Sequence, residues 1–290
     1  MMKNILINEK LSKYSWFNLG GPANILIKLQ SINEIKDFLK QNKTKNNKIH
    51  ILGAGSNTLF RDGGFDGTVI KLGNDFSFIK ILKKDQIEVG SATLDRKLSE
   101  FATKNSLSGF EFLSCIPGSI GGAITMNSGC YGEDISKIFL SLKAINSNGE
   151  IETFTNKQIK FSYRGNDLNK NLIILSAIFQ GKMFDSKKIL EKQTRLINMK
   201  KNSQPSRIKT CGSTFKNPES HKAWELIKNS ECANLKVGGA RISEKHSNFF
   251  LNNGDATSSD IEKLIDKVKE KVFKKTGIEL ELELQIVGKK

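Results

Sequence analysis

Residues 116–132 read IPGSIGGAITMNSGCYG, and residues 51–57 read ILGAGSN. In the longer stretch, Pro117 and Gly118 make a turn, Ser119 follows, and Gly121 and Gly122 let another group approach the backbone closely. The apolar residues after them suit a short helix, whose N-terminus beneath a diphosphate supplies free donors and a favourable dipole. In the shorter stretch a strand runs into Gly53, Ala54, Gly55, Ser56 and Asn57, a loop able to turn several N–H groups toward one anion. The third glycine of a dinucleotide fingerprint is missing. RDGGFDGTVI at 61–70 reads as turn then strand, not helix, so a nicotinamide-binding Rossmann unit fits poorly. Two such loops in one domain suit a large two-phosphate ligand bound in extended form. The competing reading, a pair of crowded turns, is left open by spacing alone.

Strands are expected on both sides of these loops, at 23–29, 49–52, 67–72, 77–82 and 86–90. Ser31 and Glu34 form a capping box that opens a helix to about residue 41, and a second helix is expected at about 94–105. SNGE at 147–150 is a hairpin turn between two apolar strands. A polar helix at about 185–202 leads into a different texture, with helices at 220–229 and 259–275. In the last of these, Ile261, Leu264, Ile265, Val268, Val272 and Phe273 form a core-facing stripe. IELELELQI at 278–286 alternates strictly, as a half-buried strand would. Intermixed strands and helices give an α+β class, with a domain boundary inside 180–203.

The chain has 290 residues, enough for two domains, and 46 Lys and Arg against 30 Asp and Glu give a net charge of +16. The basic residues are scattered and often paired with acids. No zinc-finger spacing or RNP-like aromatic cluster accompanies them, so a solvated basic surface is preferred over nucleic-acid binding, and an anionic small substrate is equally compatible. No apolar run reaches the roughly 18 residues of a membrane span. The N-terminus carries no signal-peptide pattern, and the four cysteines (Cys115, Cys130, Cys211, Cys232) show no CxxC. Reduced thiols in a cytoplasmic protein are therefore expected. Cys211, His221, Cys232 and His246 lack the paired spacing of a zinc site, and no metal is expected.

ILGAGSNTLFRDGGFDGTVIKL, GFEFLSCIPGSIGGAITMNSGCYGEDI, FSYRGNDL, TCGSTFKNP, VGGARISEKHSNFFLN and GIELELELQIVG follow one another in this chain. In that order they resemble the MurB family, the UDP-N-acetylenolpyruvoylglucosamine reductases of bacterial peptidoglycan precursor synthesis. The resemblance runs from residue 15 to Gly288. It implies an FAD-binding fold of the vanillyl-alcohol-oxidase type over 1–182, in lobes of about 1–72 and 73–182. A connecting helix at 183–202 and an α+β substrate-binding domain at 203–290 would follow. The cofactor implied is FAD, its diphosphate against 53–57 and 116–122, with NADPH as hydride donor. The implied substrate is a UDP-sugar, whose enolpyruvyl ether becomes a lactyl ether. A monomer without nucleic-acid or membrane partners is expected. Another FAD oxidoreductase of the same fold is the alternative; neither His50 nor Cys115 sits in a covalent flavin-attachment motif.

That chemistry needs donors or cations where enolate charge develops, and an acid to protonate C2. On the resemblance, Ser213 is the acid; without it, Ser213 would read as a turn residue after Gly212. Arg164 in SYRGND matches the arginine that polarises the substrate carboxylate, a task suited to its planar fork, though an isolated Arg more often makes a surface ion pair. The family generally has a serine where this chain has Asn166, which puts a local hydrogen bond in question. Glu279, Glu281, Glu283 and Gln285 share one strand face, and periodicity does not separate them. Alignment anchored on Gly277 and Gly288 selects Glu283. Tyr163, Lys216, Asn217 and His246 match positions near the substrate, with a structural role for His246 equally open. The family commonly has Gly or Ala at Cys115, Cys130 and Cys211, so these thiols read as small fillers. All three tyrosines (Tyr14, Tyr131, Tyr163) precede Arg164, so the tyrosine-bearing insert of longer family members is missing.

Overall fold

In the computed structural model, which describes residues 4–43 and 47–290, the chain packs as two units. One is built mainly from Ile27–Ala54 and Val69–Lys200, the other from Leu6–Leu26, Gly55–Thr68 and Lys201–Lys290.

The first unit is organised by a five-stranded antiparallel sheet. Its strand order is Ile151–Thr155, Phe139–Ile145, Ile173–Gln180, Gln86–Gly90 and Ile79–Lys83. The expected turn closes its first hairpin: Asn146 Oδ1 accepts from the amides of Asn148 and Glu150, bringing Ile145 opposite Ile151. One sheet face carries Ile87, Val89, Leu142, Ala144, Ala177 and Phe179, all buried. Against them lie Leu98 and Ala102 of helix α2, Asp95–Lys104, and Ile120 and Ile124 of the short helix α3, Ile120–Thr125. Helix α1, Ile32–Lys43, starts where the sequence predicts, but with a shifted cap. The Glu34 amide donates to Ser31 Oγ at 3.3 Å, while the Glu34 carboxylate takes the amide of Gln30 at 2.7 Å instead of that of Ser31. Helix α4, Ser186–Ser203, is anchored on α2 by a buried bond from Gln193 Nε2 to Ser99 Oγ.

The second unit pairs a small antiparallel sheet, Lys236–Val237, Ala240–Ile242 and Phe250–Asn252, with helices α5, Ala223–Asn229, and α6, Ser258–Thr276. Thr257 and Asp260 form a capping box on α6, and Gly277 ends it in the left-handed conformation. Asp62 adds a second carboxylate at that N-terminus, accepting from the amides of Ser258 and Ser259. Ile261, Leu264, Ile265, Val268 and Val272 are buried as predicted, but Phe273 is 56 % exposed. It lies roughly 100° around the helix from Val272, off the edge of the stripe. Helix α5 begins at Ala223 rather than residue 220, because Asn217 Oδ1 caps the Ala223 amide after the Pro218 turn.

The expected strand over 278–286 is also corrected. Only Gln285–Val287 enters a ladder, parallel to Thr58–Phe60, with a single bridge at Leu282 to Phe215. Burial still alternates: Leu280 and Leu284 are buried while Glu279, Glu281 and Gln285 are exposed. Apolar alternation needs an extended chain with one face on the core, and a continuous ladder is a separate requirement that needs an adjacent partner strand.

Candidate active site

The two glycine stretches meet in the first unit. A Cβ added at Gly53 would stand 2.6 Å from Ser119 Oγ, so the two segments lie close enough for a side chain at 53 to press on the Ser119 hydroxyl. Gly118 faces the Asp95 carboxylate, 2.3 Å from the same imagined atom, and Gly121 packs on Ser91. Lys71 Nζ donates to Gly53 O at 2.7 Å, holding a cation on this loop. Burial lowers the Lys71 pKa, with Lys28 adding to the effect. Close glycine backbone, the Ser119 hydroxyl at the start of α3 and a nearby ammonium fit a diphosphate of the size FAD carries. Ala54, Pro117 and Gly122 belong to the same two segments.

Within 53–57 the chain passes between units after Ala54. Gly55, Ser56 and Asn57 belong to the second unit, where Gly55 has φ +71° and its carbonyl accepts from the Trp16 amide. Asn57 grips the C-terminal segment: its Nδ2 donates to Glu283 O at 3.0 Å, and its carbonyl accepts from the Gln285 amide at 3.0 Å.

Arg164 sits in the first unit, at the turn between Phe161–Ser162 and Gly165–Asn166, in the left-handed conformation at φ +59°. Its Nη2 donates to Gly129 O at 3.0 Å, and its guanidinium lies 4.9 Å from the centre of the exposed Tyr163 ring. Asn127 steadies the same turn by donating to Ser162 O. Asn166 answers the question raised by the missing serine. Its Nδ2 donates to Ile124 O at 2.8 Å and Thr125 O at 3.3 Å, and its Oδ1 accepts from Leu168. The turn bearing Arg164 is thereby fastened to the last carbonyls of α3, the helix opened by the glycine segment.

In the second unit, main-chain bonds bring 213–217 alongside 281–284. Thr214 O accepts from Glu283 N at 2.9 Å and Leu284 N at 3.3 Å, and the Lys216 amide donates to Glu281 O at 2.9 Å. Ser213, half-buried, pairs on its other side with Phe249. The carboxylates that periodicity left equivalent now differ: the Glu279 and Glu281 side chains are 79 % and 75 % exposed, whereas Glu283 is half-buried. Glu281 pairs with Lys216 Nζ at 3.3 Å, and Glu279 lies 3.9 Å from Lys269.

His246 lies between rings, 4.8 Å from Phe249 and 6.1 Å from Trp224, and burial lowers its pKa. Its Nδ1 is close to the Asn248 amide, at 3.3 Å. Asn248, which sequence reasoning passed over, accepts from Phe215 N and donates to Phe215 O, clamping the Ser213 segment from behind. The signal was present, since Asn248 lies inside a motif with His246, but a buried asparagine holding backbone has no spacing signature. Asp95 was missed likewise: its carboxyl is fully buried with no hydrogen-bond partner, and burial raises its pKa well above the ordinary value. Among the described residues no cluster of metal-ligating side chains occurs.

Residues 23–155 match the family described as "FAD binding domain", and residues 204–287 match "UDP-N-acetylenolpyruvoylglucosamine reductase, C-terminal domain". With the glycine cradle, the first match gives the α+β chain a vanillyl-alcohol-oxidase-type FAD-binding fold, and the second makes it an FAD-dependent oxidoreductase. Over 280 residues the chain is 47 % identical to the UDP-N-acetylenolpyruvoylglucosamine reductase of Pelagibacter ubique, covering 96 % of this chain and 92 % of the relative. It is 46 % identical to the enzyme of that name from Rickettsia akari, covering 96 % and 94 %. The crystal structure of the reductase from Thermus caldophilus superposes with a TM-score of 0.85 at 29 % identity, covering 98 % of each chain. The chain belongs to the UDP-N-acetylenolpyruvoylglucosamine reductase family, whose function lies in peptidoglycan synthesis.

Proposed function

We propose that this chain reduces UDP-N-acetylglucosamine enolpyruvate to UDP-N-acetylmuramate with NADPH as donor. Residues 1–182 would serve the cofactor and 203–290 the sugar nucleotide. Bound FAD, reduced by NADPH, supplies the hydride that C3 of the enolpyruvyl group receives. Gly53, Ala54, Gly55, Ser56, Asn57, Pro117, Gly118, Ser119, Gly121 and Gly122 would hold that cofactor.

Ser213 is the proton donor to C2. A serine hydroxyl is a weak acid in water, but the enolate is basic enough to take its proton when the two are held together. Arg164 binds the substrate carboxylate and opposes the charge developing there, and Glu283 acts beside Ser213. Tyr163, Lys216, Asn217 and His246 would bind the substrate. The observation that carries this reading is the main-chain pairing of Thr214 with Glu283, which keeps a hydroxyl and a half-buried carboxylate on adjacent segments. We place the enzyme in the cytoplasm as a monomer; among the described residues no helix is long and apolar enough to cross a membrane.

The test is anaerobic: enzyme whose flavin has been reduced by NADPH is mixed with the enolpyruvyl substrate. Rapid return of the oxidised flavin spectrum, with UDP-N-acetylmuramate formed in equal amount, is the expected result. Flavin that stays reduced without dioxygen would overturn the assignment.

A further inference from the structure

Lys71 lies near the end of the strand Phe65–Leu72, outside both glycine stretches. The Leu52 amide donates to Ile70 O at 2.8 Å, and one residue further along each segment Lys71 Nζ donates to Gly53 O at 2.7 Å. The strand therefore holds the entry to residues 53–57 twice, once through its backbone and once through an ammonium. Lys28, on the adjacent strand Pro22–Leu29, puts a second cation close by. Burial lowers the Lys71 pKa and the charge of Lys28 lowers it further, so the ammonium sits here at a cost in hydration. An anion brought beside the loop would offset that cost.

The consequence falls on the next amide. The Gly53 carbonyl and the Ala54 N–H belong to one planar trans peptide and point in opposite directions. With the carbonyl fixed on Lys71, the Ala54 N–H is turned away from the lysine, and among the described residues no acceptor takes it. Glycine has the widest choice of backbone angles, so residue 53 does not fix this peptide by itself. Ser119 borders the same glycine, its Oγ 2.6 Å from where a Cβ would stand.

We propose that Lys71 is a positioning residue for the cofactor: its ammonium fixes the Gly53–Ala54 peptide so that the Ala54 N–H faces the FAD diphosphate. This rests on the reading that residues 53–57 hold FAD. Lys71 acts through the Gly53 carbonyl and touches none of the reacting atoms. Without it the peptide is free to turn over, which aims a carbonyl oxygen instead of a donor at the phosphates and exchanges an attraction for a repulsion.

The test titrates FAD into the full chain stripped of flavin and follows the change in flavin fluorescence. Lys71→Met keeps the length of the side chain without its charge or donors. Its dissociation constant for FAD should rise roughly tenfold or more, the usual worth of a hydrogen bond to a charged group. ADP, which carries the diphosphate without the flavin, should lose the same factor when it competes with FAD. Lys71→Arg still donates and should recover part of the loss. Lys28→Met keeps the Gly53 contact and should bind FAD no more weakly than wild type. Lys71→Met binding FAD as tightly as wild type would overturn the proposal, as would Lys71→Arg doing no better than Lys71→Met. An equal loss in Lys28→Met would overturn it too, by making the effect one of general charge, and so would a loss for FAD that ADP does not share. Wild-type protein that takes up no FAD would overturn the cofactor reading itself, and the proposal with it.

Discussion

The Glu283 amide donates to the Thr214 carbonyl at 2.9 Å, and this bond holds the Glu283 backbone against the segment that carries Ser213. Substitution of Ser213 by Ala leaves FAD binding and its reduction by NADPH intact, because neither needs a proton at C2. Reoxidation by the enolpyruvyl substrate falls roughly 10²–10⁴-fold, the usual worth of a positioned acid. Glu283→Gln shows the same asymmetry. Glu279→Gln and Glu281→Gln stay near wild type, since exposed ion pairs contribute little. Stopped-flow absorbance of each half-reaction separates these outcomes. Equal slowing of both by Ser213→Ala would make the serine a support for the flavin.

Asn166 fastens the Arg164 turn to α3 through Ile124 O and Thr125 O. Asn166→Ala strands those carbonyls and should destabilise the protein by about 1–3 kcal/mol. Urea unfolding measures this loss. Asn166→Ser, with a shorter reach and one donor, should recover only part of it.

Asp95 makes stability fall with pH. Burial raises its carboxyl pKa in the folded state, while in the unfolded chain it titrates at the ordinary value of about 3.9. Below that value both states hold the proton and its contribution is constant. Above it the unfolded chain releases a proton that the folded state keeps, so stability drops until the folded pKa is passed. Asp95→Asn has no proton to lose, so its urea midpoint should gain on wild type as pH rises from 4 to 8. A constant difference between the two across that range would show that Asp95 is ionised when folded.

Two glycines of one loop should fail in different ways. Gly53→Ala presses on the Ser119 hydroxyl, a side chain that can turn aside, so the fold survives while FAD affinity drops roughly tenfold, or about 1.4 kcal/mol. Gly55→Ala meets the Tyr14 carbonyl at 1.9 Å from a backbone at φ +71°, and neither can yield. It should cost about 1–3 kcal/mol of stability or more. Flavin titration beside thermal unfolding distinguishes the two.

Much of the architecture was legible along the chain because it is encoded locally. The SNGE turn, the glycine helix and the stripe on α6 each depend on residues a few positions apart, and they appear where those residues predict. The two glycine segments could be read as anion loops for the same reason. What the sequence left undecided involves partners far along the chain. Periodicity makes Glu279, Glu281 and Glu283 alike, and they part only when Asn57 and Thr214 bind the backbone at Glu283. Alternation at 278–286 specifies a buried face but no partner strand, so it overstated the ladder. The burial of Asp95 against Gly118 likewise follows from packing. Patterns along a sequence report which face of a segment seeks the core, whereas the neighbour it finds there depends on how distant segments close over it.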